Sequence, residues 1–319
     1  MASWRASIRI QILYATACLG AATALLFSPR FVAGAPAPER IVSLAPSITE
    51  TLFALGAGSE VVGVSRYSDY PAAARRLPRV GTYLTPNVEA IVGLRPTLII
   101  GLSSSANLRA MRALEGIGYP TLTVGEGTLA DIETTITRIG HRVGRDRQAA
   151  ELIADVRRHF ASVQERLKNA DSPKVLMLVG HKPMVAVGSS SFLSELIAMA
   201  HGTNIAANSG ETWPRLSMEY VIATAPAVII DGQMGDDPVS PGNFWQQYST
   251  IPAVKRNRLY GYGEDPILKP GPRIWQSLEI LAAMIHPELV KASADAHQPS
   301  SGVSRPQAHG LDPTLAEAR

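Results

Sequence analysis

The residues of this chain best suited to chemistry are its seven histidines, and their settings argue against catalysis or a metal centre. His297 and His309 fall in a Pro/Ser/Gly-rich tail. His141 and His159 lie among arginines in helical sequence and read as solvated. His201 stands at a helix end beside Gly202, where a cation suits the dipole. His286, before Pro287, reads as a cap of the last helix. Only His181, in Gly180-His181-Lys182-Pro183 beyond a strand pattern at Lys174–Val179, falls where a cleft residue is expected. No two histidines stand at a metal-pairing interval, and a closed transition-metal site takes three or four converging ligands. The acid pairs Asp236-Asp237 and Glu264-Asp265 read as solvated loop residues. A Gly-x-Ser-x-Gly elbow, a Walker loop and a helix-opening Gly-x-Gly-x-x-Gly are all absent. The single cysteine, Cys18, lies in an apolar leader. The expectation is therefore no catalytic residue and no metal.

A second set of residues is suited to holding a flat or bulky molecule. Aromatics recur in loops that follow strand patterns: Arg66-Tyr67-Ser68-Asp69-Tyr70-Pro71, Gly81-Thr82-Tyr83, Thr212-Trp213-Pro214, Phe244-Trp245 and Tyr260-Gly261-Tyr262. Aromatic faces give large apolar contact, and each stacked pair contributes about 0.5–1.5 kcal/mol beyond its area. Tyr67, Tyr83, Trp213 and Trp245 are the cleft candidates from this set. The plainer alternative for each is packing down over the core. Tyr260, alternating with Leu259, reads as structural.

The elements that must position them alternate short β-branched runs with helical patterns between Arg40 and Pro287, an α/β fold with largely parallel sheets. Strands are expected at Arg40–Leu44, Val61–Val64 and Thr97–Ile100, with a helix opening at Ser47 through a capping box to Glu50 and another over Glu89–Leu94. The pattern then repeats. Glu89 to Ile100 and Glu219 to Ile230 share glutamate, proline and paired isoleucines at the same internal spacing, and Ser47–Gly58 resembles Ser191–Gly202. Between the copies, Ala149, Ile153, Val156, Phe160, Val163 and Leu167 form one apolar stripe over a helix of about 24 residues, roughly 36 Å long. The expected architecture is two Rossmann-like lobes, each with its own core, bridged by one rigid helix, with a ligand cleft at the carboxyl ends of the strands.

The expected divisions are a signal peptide over 1–35, an N-terminal lobe over 36–144, the bridging helix over 145–172, a C-terminal lobe over 173–290 and a disordered tail over 291–319. Arg5 and Arg9 precede an apolar run ending in Ala33-Gly34-Ala35, the pattern of an export signal; an uncleaved anchor or a lipid on Cys18 are the alternatives. The formal charge of +3 is carried wholly by Arg5, Arg9 and Arg30. The remainder is neutral, which removes the case for nucleic acid or an anionic membrane surface.

Val61-Val-Gly-Val-Ser-Arg-Tyr-Ser-Asp-Tyr-Pro71, Trp213-Pro-Arg-Leu-Ser-Met-Glu219 and Lys269-Pro-Gly-Pro-Arg273 resemble the helical-backbone periplasmic binding proteins that serve ABC importers of cobalamin, haem and ferric siderophores. The resemblance covers Arg40 to Glu288 and runs nearest to the cobalamin binders. It implies a non-enzymatic, monomeric solute carrier of the Gram-negative periplasm, with cobalamin, or alternatively haem or a ferric siderophore, as cargo. It also implies pocket roles for Tyr67, Trp213 and Asp265. Tyr83 and Leu102 stand where those binders carry tryptophans, Val185 replaces a phenylalanine and Lys269 an arginine, so the class holds while the cargo stays open. Haem with Tyr67 or His181 as iron ligand is an alternative, as is another large apolar molecule. Glu89 and Glu219 each start a helix, where a carboxylate offsets the positive helix end by about 0.3–1 kcal/mol. In the family, one such glutamate per lobe pairs with arginines on the two permease subunits.

Overall fold

The computed structural model describes residues 39–181, 183–232, 244–263 and 266–289. The expected export signal, the C-terminal tail and Asp265 lie outside these residues. In the first half, β1 (Ile41–Ser43) leads into α1 (Pro46–Ala54). After β2 (Val61–Val64) come α2 (Val88–Gly93), β3 (Leu98–Leu102), α3 (Ser105–Gly116), β4 (Thr121–Val124) and α4 (Leu129–Arg142). The long α5 (Asp146–Leu167) follows. The second half runs β5 (Lys174–His181), β6 (Met184–Ala186), α6 (Phe192–Met199), β7 (Thr203–Asn204), α7 (Met218–Thr224), β8 (Val228–Gly232), α8 (Pro252–Lys255), β9 (Leu259–Tyr262) and α9 (Ile274–Ile285).

The first sheet has the order β2-β1-β3-β4 and is parallel throughout. The second has the order β6-β5-β8-β9, with β7 also on β5; all its pairs are parallel except β5 with β6. The expected strand at 174–179 therefore extends to His181 and turns back through β6. Among the described residues, no helix is long and apolar enough to cross a membrane.

The central strands β1, β3 and β8, and β5 from Val175 to Leu178, are buried on both faces, so the pleat sends alternate residues into different layers. Val42 and Ile99 enter an outer layer under α2 and α3, whereas Ile41, Leu98 and Ile100 face inward. In the second sheet Leu176, Leu178 and Ile229 face outward, and Val175, Met177, Val228 and Ile230 inward. The two inward sets belong to one continuous cluster that includes Ala149, Val156, Val163 and Leu167 of α5. Two independent cores were the expectation; the halves instead share their largest one. The bridging helix is not a free rod either. Arg157 pairs with Glu133 of α4, Arg166 with Glu279 of α9, and His159 stacks on Trp275 at 4.0 Å.

The sequence repeat is also a repeat of backbone chemistry. Asn87 and Ser217 cap α2 and α7, accepting from the Ala90 and Tyr220 amides. Arg95 and Ala225, at φ of 49° and 50°, turn the chain out of each helix before Pro96 and Pro226. Arg40 Nη2 donates to Leu94 O at 2.7 Å, and Lys174 Nζ to Thr224 O at 3.0 Å. A cation at the head of each central strand thus satisfies the carbonyl end of the helix that leads into the neighbouring strand, where orphan carbonyls need a partner.

One expected start signal fails. Helix α1 begins at Pro46 with Ala45 as its cap, and no side chain caps it. Proline suits that first position because it has no N–H to satisfy. Ser47 therefore sits inside the helix and donates to Glu126 Oε2 at 3.0 Å, while Glu50 binds Arg273. The genuine capping box is Thr128 with Asp131 at the start of α4.

Candidate functional site

A cavity of about 720 Å³ takes lining residues from both halves, within the range of small-molecule sites. Tyr67, Tyr83 and Leu84 border it from loops of the first half, and Thr212, Trp213 and Lys269 from loops of the second. The starts of α1 and α6 contribute Ser47 and Phe192. Leu102, at the carboxyl end of β3, also borders it.

Each aromatic loop is anchored by polar contacts that its own sequence does not advertise. Tyr67 is 46% exposed, yet its neighbours are fixed. Ser43, Thr49, Ser65 and Ser68 form a buried chain of hydroxyl contacts at 2.8–3.0 Å. Arg79 donates to the Ser65 and Ser68 carbonyls and to Asp69. The Tyr83 carbonyl accepts from Asn107 Nδ2, and Asn107 Oδ1 accepts from Leu102 N at 3.1 Å, which ties that loop to the end of β3. Trp213, 45% exposed, is held on both sides: Gly188 N donates to Thr212 O at 2.8 Å and Ala186 N to Pro214 O at 2.9 Å.

Across the halves, Glu50 accepts two hydrogen bonds of 2.7 Å from Arg273, whose guanidinium also lies 3.9 Å from the centre of the Tyr70 ring. Glu50 is only 3% exposed, so the pair is a fork-to-fork contact removed from water. Gly127 O accepts from Phe192 N at 2.8 Å, and Glu195 accepts from Leu129 N. Glu126 borders the cavity, and burial pushes its carboxyl up to about 7, opposed by the hydrogen bond from Ser47.

Four of the residues expected at a cleft, Tyr67, Tyr83, Trp213 and Lys269, come together on this cavity. Trp245 does not. It is completely buried in the outer layer of the second sheet, and its indole N–H donates to Asp231 Oδ2 at 2.8 Å. An indole at a core position with a buried carboxylate to receive its N–H is packed, not presented. Tyr262 is equally structural: its hydroxyl donates to Leu178 O, and burial together with the Asp231 charge pushes its phenol above the ordinary range. His181 closes β5; its side chain, like Asp265, lies outside what the structure describes. Glu89 and Glu219 are exposed in the first turns of α2 and α7, away from the cavity lining. The Glu219 backbone N–H and the Ser217 hydroxyl hold the Glu219 carboxyl below its usual range.

Sequence reasoning missed Glu50, Arg273 and Glu126 as site-forming residues. By local spacing Glu50 reads as a cap and Arg273 only as part of a motif. Among the described residues, no group of three His, Cys, Asp or Glu side chains stands together as a metal site.

Comparison with known proteins gives the same outline. A vitamin B12-binding protein of Vibrio parahaemolyticus is 28% identical over 84% of this chain and 95% of its own. An uncharacterized ABC transporter substrate-binding lipoprotein of Bacillus subtilis is 30% identical over 80% of this chain and 82% of its own. The apo structure of a periplasmic heme-binding protein of Roseiflexus superposes with a TM-score of 0.71 at 28% identity, covering 79% of this chain and 99% of that one. These relatives are named for binding and transport. The model of the periplasmic binding protein family matches residues 41–266, from β1 to beyond β9, and to that family this chain belongs.

Proposed function

We propose that the chain is the exported substrate-binding component of an ABC importer, which captures a corrinoid such as cobalamin between its halves and surrenders it to a permease without chemical change. The observation that carries this reading is the single cavity bordered by Tyr67 and Tyr83 from one half and by Trp213 and Lys269 from the other. Aromatic faces from opposite sides grip a planar ring system, and Lys269 supplies a donor for its polar periphery. The shared core and the clamped α5 restrict closure, so affinity comes from a largely preformed slot. Asp265 belongs to the same proposed polar set. Glu89 and Glu219 form the proposed docking pair, one from each half, suited to a two-fold permease surface. Function as a monomer in the periplasm, delivered there by the N-terminal leader, completes the proposal.

Haem is the second reading, favoured by the likeness to the Roseiflexus protein and by a tyrosine, Tyr67, exposed at the cavity. Titration of the purified protein with cyanocobalamin and with haemin, followed by visible absorption, separates the two. Saturable binding of cyanocobalamin with little response to haemin is expected. Tight haemin binding with a tyrosinate-type spectrum, lost in Tyr67→Phe, would transfer the assignment to haem. Failure of both would sink the tetrapyrrole reading.

A further inference from the structure

Glu126 is the sole acid among the described residues that border the cavity. It follows β4 and precedes the capping box of α4. Its Oε2 accepts from Ser47 at 3.0 Å, and among the described residues it forms no ion pair. The neighbouring charges are committed elsewhere. On α4, Asp131 accepts from the Thr128 amide at 3.0 Å. On α6, Glu195 accepts from the Leu129 amide at 3.3 Å. On α1, Glu50 is held by Arg273. Lys269, Tyr67 and Tyr83 are the other titratable groups on the cavity wall. A carboxyl in this position has two means of satisfying its second oxygen: water in the open cavity, or the ligand.

We propose, resting on the substrate-binding reading above, that Glu126 is the polar anchor of the cavity, taking up a proton as ligand enters and donating it in a hydrogen bond to a carbonyl or carboxylate oxygen on the ligand's periphery. Ligand entry removes the water that solvates the ionised form, and desolvation of a carboxyl not paired with a cation favours the neutral acid. The free carboxyl already titrates at about 7 because of burial. Further desolvation raises the bound-state value, so binding consumes a proton from buffer. Below the free-protein value the proton is already in place and affinity is pH-independent; above it, affinity falls with rising pH, by at most about tenfold per unit. Capture would then be tighter in mildly acidic than in mildly alkaline surroundings.

Calorimetric titration with cyanocobalamin and with haemin, in pairs of buffers differing in ionisation enthalpy, tests this on the wild-type protein. At a pH near 8, uptake approaching one proton per bound ligand is expected, together with a Kd that rises roughly tenfold between about pH 7 and pH 8.5. Glu126→Gln keeps a donor and an acceptor without a titratable proton, and its Kd should lose that slope. A wild-type heat independent of buffer, or the same slope in Glu126→Gln, overturns the anchor while leaving the substrate-binding reading standing. If neither probe binds at any pH, the tetrapyrrole reading fails and the anchor with it. The two probes differ in their peripheral acceptors, amide carbonyl against carboxylate, so linkage seen with only one identifies the oxygen that Glu126 serves.

Discussion

Trp213 is presented to the cavity because of a residue with no side chain. A Cβ on Gly188 would stand 1.9 Å from Glu211 O and 2.7 Å from Pro214 Cδ, so the tryptophan loop lies as close to the strand end as glycine allows. Overpacking of this kind typically costs about 1–3 kcal/mol. Here the loop, not the core, is free to yield. Gly188→Ala should therefore displace Trp213 and weaken ligand binding by about tenfold or more, some 1.4 kcal/mol, with a smaller loss of melting temperature. Gly116→Ala, where an added Cβ meets nothing within 4 Å, is the control expected to leave binding unchanged and the melting temperature no lower. Unaltered affinity in Gly188→Ala would detach Trp213 from ligand binding. The contrast with Trp245 belongs to this scale too. Both tryptophans follow breaks in the strand pattern, but Asp231 beneath Trp245 gives its N–H a buried partner and draws the ring into the core.

At the scale of elements, the duplicated strand–helix units explain why two glutamates occupy matching places. In each half a cation at the strand head, a polar N-cap and a left-handed exit residue fix the same short helix. The first-turn glutamate is left exposed. The backbone and Ser217 contacts that lower the Glu219 pKa keep it ionised to a more acidic pH than an ordinary glutamate, so a docking role for it should persist under mild acid. Replacing both Glu89 and Glu219 by lysine should abolish ligand uptake into cells or reconstituted transporter vesicles. Ligand affinity measured on the isolated protein should stay within about twofold, because charges at exposed rims govern orientation and encounter more than local packing. Loss of affinity in the double variant would refute the separation of docking from capture.

For the whole molecule, the decisive contacts are those between halves. A shared inner core, the α5 clamps and the Glu50–Arg273 pair make relative motion of the halves costly. The exposed clamps on α5 contribute little individually, about 0–1 kcal/mol each. Glu50–Arg273 is different in kind because Glu50 is buried, and removing one partner strands a charge at a cost of about 3–5 kcal/mol. Arg273→Met alone should thus lower chemical-denaturation stability by about that amount. The pair Glu50→Gln with Arg273→Met should recover much of it, since the stranded charge is then gone. An additive double variant would show that the two residues do not act as a unit.

The amino-acid sequence by itself determined the alternation of strands and helices, the internal duplication, the long α5 stripe and the aromatic loops. Each of these is written in local periodicity or in residue type, which need no knowledge of distant partners. It also located Tyr67, Tyr83 and Trp213, because loops after parallel strands converge at one end of their sheets, whereas Lys269 entered only through the family resemblance of Lys269-Pro-Gly-Pro-Arg273. Only the tertiary structure decided that Trp245 is core, that Glu50 serves Arg273 rather than its own helix, and that Glu126 borders the cavity. Those outcomes turn on partners as far away as 223 positions in the chain. A buried carboxylate takes the donor that space brings to it, and spacing along the sequence carries no record of that choice.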